Sequence, residues 1–190
     1  MTVNVGITDG TTELKAPVAI KGADFNAIKA KFVEKFDLTA FGSEYLFIAG
    51  ADSKIYTVGL DTFFSDVATA TQVQAADVKA GNTIYLKATA KTVPVTFAIT
   101  DGTTKLKDTT VNITSLDFDT IATTVADQLG ISLGLGNGGG TTVTIDGHTY
   151  TVDMTKLYSN VNATQEVSIK NPIEAIKSGA TIYLKATKNN

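Results

Sequence analysis

Val3, Val5 and Ile7 alternate with Asn4, Gly6 and Thr8, and the alternation returns as Val95, Phe97 and Ile99 against Thr96, Ala98 and Thr100. A period of two predicts a strand with one buried face. Asp9-Gly10 and Asp101-Gly102 come next, and Asp-Gly supplies the positive φ that a tight hairpin turn requires. The return strands carry Val18 and Ile20 in one half and Val111 and Ile113 in the other. Pro17, with no amide proton to give a ladder, predicts that the first return strand lies at a sheet edge.

The period then becomes helical. Phe25, Ile28, Phe32 and Phe36 are spaced by three, four and four, as are Phe118, Ile121, Val125 and Leu129. Each set predicts one apolar stripe of a helix facing a sheet. Asp24 and Asp117 stand where a carboxylate satisfies free helix amides, and Gly130 stands where a helix ends. Two further strands are predicted in each half, Glu44 to Ile48 with Lys54 to Leu60, and Thr141 to Asp146 with His148 to Met154. A less regular stretch follows, Asp61 to Val78 and Thr155 to Ile176, with a short helical turn expected in it. Gly81 and Gly179 then precede a last strand whose Ile84 and Leu86, or Ile182 and Leu184, face inward.

The halves repeat each other almost end to end. Ile7 and Ile99 are 92 residues apart, Phe25 and Phe118 are 93 apart, Tyr56 and Tyr150 are 94 apart, and Tyr85 and Tyr183 are 98 apart. The offset grows only where loops are expected. Such a period exceeds the roughly 20 to 50 residues of solenoid repeats, so a duplicated domain is predicted. Residues 1–89 form the first repeat and 94–190 the second, with a linker at 90–93. Strand, strand, helix and three strands make an α+β pattern, a helix on one face of a mixed sheet. With its opening Asp-Gly hairpin, its helix from Asp24 to Phe36 and its late glycine in Ala80-Gly81-Asn82-Thr83-Ile84, each half resembles the β-grasp, or ubiquitin-like, fold. The resemblance implies that first and last strands lie side by side and parallel in the sheet centre.

Composition narrows function by exclusion. The 190 residues carry a net charge of -3, with no Cys and no Trp. Every basic residue is Lys, scattered singly, which argues against nucleic-acid recognition because Arg is the usual bidentate reader of phosphate and guanine. Without Cys there is no thiolate nucleophile or thiolate metal site. No apolar run approaches the roughly 18 to 20 residues of a membrane span, and no secretory leader is visible at Met1. Thr-Asp-Gly-Thr-Thr lacks the six or so oxygens of a hard-cation site and reads as a turn. His148, the single histidine, follows Asp146-Gly147 and reads as an exposed turn residue. We therefore expect no catalytic residue, no metal and no cofactor.

A ubiquitin-like modifier ends in Gly-Gly, whereas this chain ends Lys188-Asn189-Asn190. The informative places are those where the halves disagree. Tyr45, Leu46, Phe47 and Ile48 are apolar at every position, which predicts a strand buried on both faces; the counterpart, Thr141 to Ile145, alternates. Phe63 and Phe64 add to that bias, and the glycine-rich segment around Gly136, Asn137 and Gly138 has no equivalent in the first half. These nine residues are the candidate interface. The expected partners are other protein subunits, including copies of this chain or a capsid. The expected function is a structural one, a bacteriophage virion accessory protein such as a capsid decoration or head-tail component. The alternative is a cell-surface or secreted adhesion module that binds a ligand.

Overall fold

In each half the first strand lies parallel to the last. In the computed structural model, which describes residues 1–51, 53–134, 141–167, 179 and 181–190, β1 (Thr2–Thr8) pairs with β7 (Thr83–Ala90), Val5 opposite Ile84 and Ile7 opposite Leu86. β8 (Val93–Thr100) pairs in the same way with β12 (Ile182–Lys188), Phe97 opposite Ile182 and Ile99 opposite Leu184. The chain divides into units Met1–Lys91 and Thr92–Asn190. Parallel neighbours cannot be joined by a tight turn, so all the intervening chain serves as the crossover.

The first unit adds β2 (Glu13–Lys21), β3 (Thr39–Phe41), β4 (Glu44–Ala49), β5 (Lys54–Phe64) and the two-residue β6 (Gln72–Val73). The sheet order is β2-β1-β7-β5-β4-β3, with β6 against β5. In the second unit β9 (Lys105–Ile113), β10 (Thr142–Ile145) and β11 (His148–Val152) give the order β10-β11-β12-β8-β9 among the described residues. Each unit is thus a mixed sheet with helix on one face, an α+β architecture of β-grasp-like kind. Among the described residues β3 takes the outer place in the first sheet and β10 in the second, and the last strand is met by β5 in the first and by β11 in the second.

The helical segments depart from expectation in the first unit. The stretch predicted as one helix from Asp24 to Phe36 is two short ones, α1 (Phe25–Lys29) and α2 (Phe32–Lys35). Ala30-Lys31 contains no helix breaker. The break accompanies an aromatic cluster in which Phe25 and Phe32 both meet Phe63 edge-on, with ring centroids 5.0 Å and 6.4 Å away. Phe25, Ile28, Phe32 and Phe36 are all buried against Val5, Ile7 and Leu86 in one core. Asp24 caps α1 by accepting from the Ala27 amide at 2.9 Å.

The second unit has one helix, α3 (Phe118–Leu129), ended by Gly130 at φ 70°. Val125 and Leu129 are buried, Ile121 is half-buried, and Phe118, expected inside, is 37 % exposed. The aromatic partners that bury Phe25 are missing, since Val125 and Leu157 stand where the first unit has Phe32 and Phe63. Asp117 occupies the cap position but accepts from the Thr120 hydroxyl and from no backbone amide.

The return strands diverge as well. Pro17 does lie at an edge, in β2, and there Gly6 faces both Ala16 and Pro17 because Val5 pairs with Val18 while Ile7 pairs with Lys15. This bulge draws the Lys15 carbonyl inward. A Cβ on Gly6 would meet that oxygen at 3.1 Å and the Tyr85 ring at 2.9 Å. The counterpart position is Ala98, fully buried, where β8 and β9 keep an unbroken register from Val93 opposite Ile113 to Ile99 opposite Lys107. We expect Gly6→Ala to destabilise the fold by about 1–3 kcal/mol through overpacking, read as a lowered urea midpoint at unchanged slope. No loss at that position would show that the bulge yields to a methyl group.

Candidate functional site

The twice-written Asp-Gly phrase builds the same polar construction in each unit. Asp9 Oδ1 accepts from the Thr11 and Thr12 amides at 2.8 and 2.7 Å and from the Thr11 hydroxyl at 2.8 Å. Asp101 repeats this with the amides of Thr103 and Thr104, both at 2.8 Å, and the Thr103 hydroxyl. Gly10 and Gly102 take φ of 96° and 93°, as the turn demands. Backbone amides at Thr12 and Thr11 hold the Asp9 carboxyl below its ordinary value, and the Thr104 amide with the Thr103 hydroxyl holds Asp101 far below it. Donors converge on these carboxylates, so their charge serves the turn.

Behind each turn stands a threonine with no exposed surface. Thr8 Oγ1 accepts from the Gly10 amide at 3.0 Å and shares its one proton between the carbonyls of Thr12, at 2.9 Å, and Val67, at 2.8 Å. Thr100 Oγ1 does the same with the Gly102 amide at 3.0 Å and the carbonyls of Thr104, at 2.9 Å, and Val161, at 2.6 Å. Val67 and Val161 belong to a second repeated loop. Asp66 accepts from the Ala70 and Thr71 amides, both at 3.0 Å, and Asn160 accepts from those of Thr164 and Gln165 at 3.0 and 3.2 Å. One hydroxyl therefore staples the hairpin turn to this loop, twice over. The composition of the loops hides the match, but Ser65-Asp66-Val67 and Ser159-Asn160-Val161 are 94 residues apart, the offset of Tyr56 and Tyr150.

The candidate interface residues separate by face. Phe47 and Phe63, 1 % and 3 % exposed, lie in the helix-side core, where the Phe47 ring stacks on Tyr56 at 5.7 Å; Tyr45 packs against the same core. Leu46 and Ile48 alternate to the opposite face, paired with Thr57 and Ile55. Leu46 and Ile55 are each 1 % exposed although they stand outside the helix-side core, and Ile48 is half-buried. Phe64, opposite Tyr85 in the β5–β7 ladder, is also half-buried. Gly136, Asn137 and Gly138 lie outside the described residues. In the second unit the positions of Leu46, Ile48 and Ile55 are filled by Thr142, Thr144 and Thr149, in the same register.

In the first unit, Asp9, Thr11, Lys54, Lys87 and Tyr56 line an open cavity of about 550 Å³. Its one carboxylate is already spent on the turn. Among the described residues no three His, Cys, Asp or Glu side chains gather as a metal site, and no helix is long and apolar enough to cross a membrane. His148 is exposed at the start of β11, after Asp146 and Gly147 at φ 48° and 76°.

We expect Thr100→Val to leave the Gly102 amide and the Val161 carbonyl without their partner and to lower stability by about 1–3 kcal/mol. Thr8→Val should act alike, and loss of protection of the 66–71 amides in hydrogen exchange would place the effect at the staple. Acid provides a second check. The folded pKa of Asp101 is depressed, so its contribution is complete above the ordinary value of 3.8 and fades as pH falls toward the folded value. The stability gap between wild type and Asp101→Asn should therefore be widest near neutrality and shrink on acidification below 3.8. No family model matches this chain and no curated protein matches it.

Proposed function

We propose that this chain is a non-enzymatic structural subunit that binds other protein subunits, and within that class a virion accessory protein such as a capsid decoration or head-tail component. The observation that carries the reading is the outward face of β4 and β5. Leu46, Ile48 and Ile55 stand in the register that Thr142, Thr144 and Thr149 occupy in the other copy. Leu46 and Ile55 are 1 % exposed and already covered within the chain, so the half-buried Ile48 is the member of this set left to meet a partner. A half-buried apolar rim where the other copy carries threonine supports a contact surface at this place. Its rim includes Ile48 and Phe64, both half-buried. Thr-rich strands, paired small domains and carboxylates committed to turns suit a chain whose task is to be a surface.

The experiment is co-sedimentation with particles from the native source, followed by electron microscopy of those particles. Ile48→Lys should abolish co-sedimentation while circular dichroism stays unchanged, and Thr144→Lys, its counterpart, should leave binding intact. Equal binding by both variants would remove this face from the assembly. A monodisperse chain that ignores particles and binds glycans would replace the reading with that of an adhesion module.

A further inference from the structure

The two units treat their return-strand edges differently. Among the described residues β2 and β9 hold the same terminal place in their sheets. A bare edge offers unpaired amides and carbonyls to any strand that fits, and proteins block such edges with proline, bulges and spread charges. β2 carries all three, with Pro17 and a bulge in mid-strand and charges at Glu13, Lys15 and Lys21. β9 has no proline, and although its ladder to β8 shifts between Ile99 and Thr100, as that of β2 does between Ile7 and Thr8, it runs unbroken from Val93 to Ile99 and lacks the mid-strand bulge of β2. Its charges, Lys105, Lys107 and Asp108, crowd into one end, and Lys105 already pairs with Asp108. The remaining five residues, Thr109 to Ile113, are uncharged.

We propose that the β9 edge pairs antiparallel with the β9 edge of a second copy of this chain. The charge distribution argues for this occupant. Antiparallel pairing of a strand with itself lays its charged end beside its uncharged end. In the register centred on Thr109 the residues from Lys107 to Val111, all within the unbroken part of the strand, pair with Lys107 opposite Val111 and Asp108 opposite Thr110 of the other copy. No charge meets its like. Registers centred on Lys107 or Asp108 would set that residue against itself. Val111 and Ile113 are buried on the helix side, so a register of even sum keeps both helices on one face of the joined sheet. An isologous contact of this kind closes at two copies. It uses a different unit from the assembly face and stands or falls separately from it.

Sedimentation of the full chain across a concentration series tests the pairing. Thr110 is exposed and its hydroxyl meets only Thr96 across the sheet, at 3.2 Å, so charged replacements leave the core untouched. Wild type should show a reversible monomer–dimer equilibrium. Thr110→Lys, facing Asp108 of the partner twice, should tighten it by about threefold to tenfold, and Thr110→Glu should weaken it by a similar factor. Circular dichroism confirms the fold of both. A wild-type monomer at every concentration, a shift of both variants in one direction, or a ladder of higher oligomers would overturn the proposal. Particle binding by Ile48→Lys is read in a separate experiment, so failure of one result is not failure of the other.

Discussion

The parallel pair of first and last strands is the constraint on which each unit depends. Asn4 opposite Thr83 and Phe97 opposite Ile182 join residues almost a whole unit apart. No local turn can make that contact, so its closure entropy must be offset by what the pair buries. Val5, Ile7, Ile84 and Leu86 are each at most 1 % exposed, as are Ile99 and Leu184. The helix, the hairpins and the stapled loops are all insertions between two strands that must meet. This explains why these strands are the best-matched stretches between the copies: substitution there acts on the contact that closes the unit.

The staple solves a related problem. A polar hydroxyl at the end of a central strand is costly to bury alone, because an unpaired group loses its water without compensation. Thr8 and Thr100 are satisfied three ways, by one amide and two carbonyls, and so fix the hairpin turn to a loop about 60 residues later. The Asp-Gly turn, the threonine before it and the Asx-capped loop form one unit of polar structure. Its depressed carboxylates are a product of that geometry, and chemistry with an outside ligand is not needed to account for them.

The features legible in the sequence were those set by local chemistry. Asp-Gly requires a turn, Gly130 a helix end, and period two a half-buried strand; the parallel centre came from the β-grasp resemblance. What was not legible depended on contacts between distant side chains. The break at Ala30-Lys31 accompanies contacts of Phe25 and Phe32 with Phe63, far along the chain, and the exposed Phe118 has Leu157 where Phe63 would stand. The three-residue β3 was invisible because Thr39-Ala40-Phe41 is too short to show a period, and its counterpart in the second copy is the single bridge of Ser132 to Thr142. The β5 strand was cut too early at Leu60, since it resumes at Phe63 after an irregularity in its pairing with β7. Of the candidate site, the two-faced character of Tyr45 to Ile48 was readable as continuous apolarity; the division into Phe47 inward and Leu46 outward required the ladder.

Duplication poses a difficulty that the divergence of the copies answers. Two units with identical open edges would give each chain two equivalent sticky strands, and edge-to-edge pairing would then propagate from chain to chain without closing. Blocking one copy changes the outcome. The bulge at Gly6, with Pro17 opposite it, leaves β9 as the more receptive return-strand edge among the described residues, and a single self-complementary edge can close on one partner only. The other ends of the sheets carry the same contact in both units: Thr39 of β3 pairs with Leu46 in the first, and Ser132 bridges Thr142 at the start of β10 in the second. The tight backbone approach that makes Gly6 necessary is thus the local cost of keeping a duplicated sheet from polymerising.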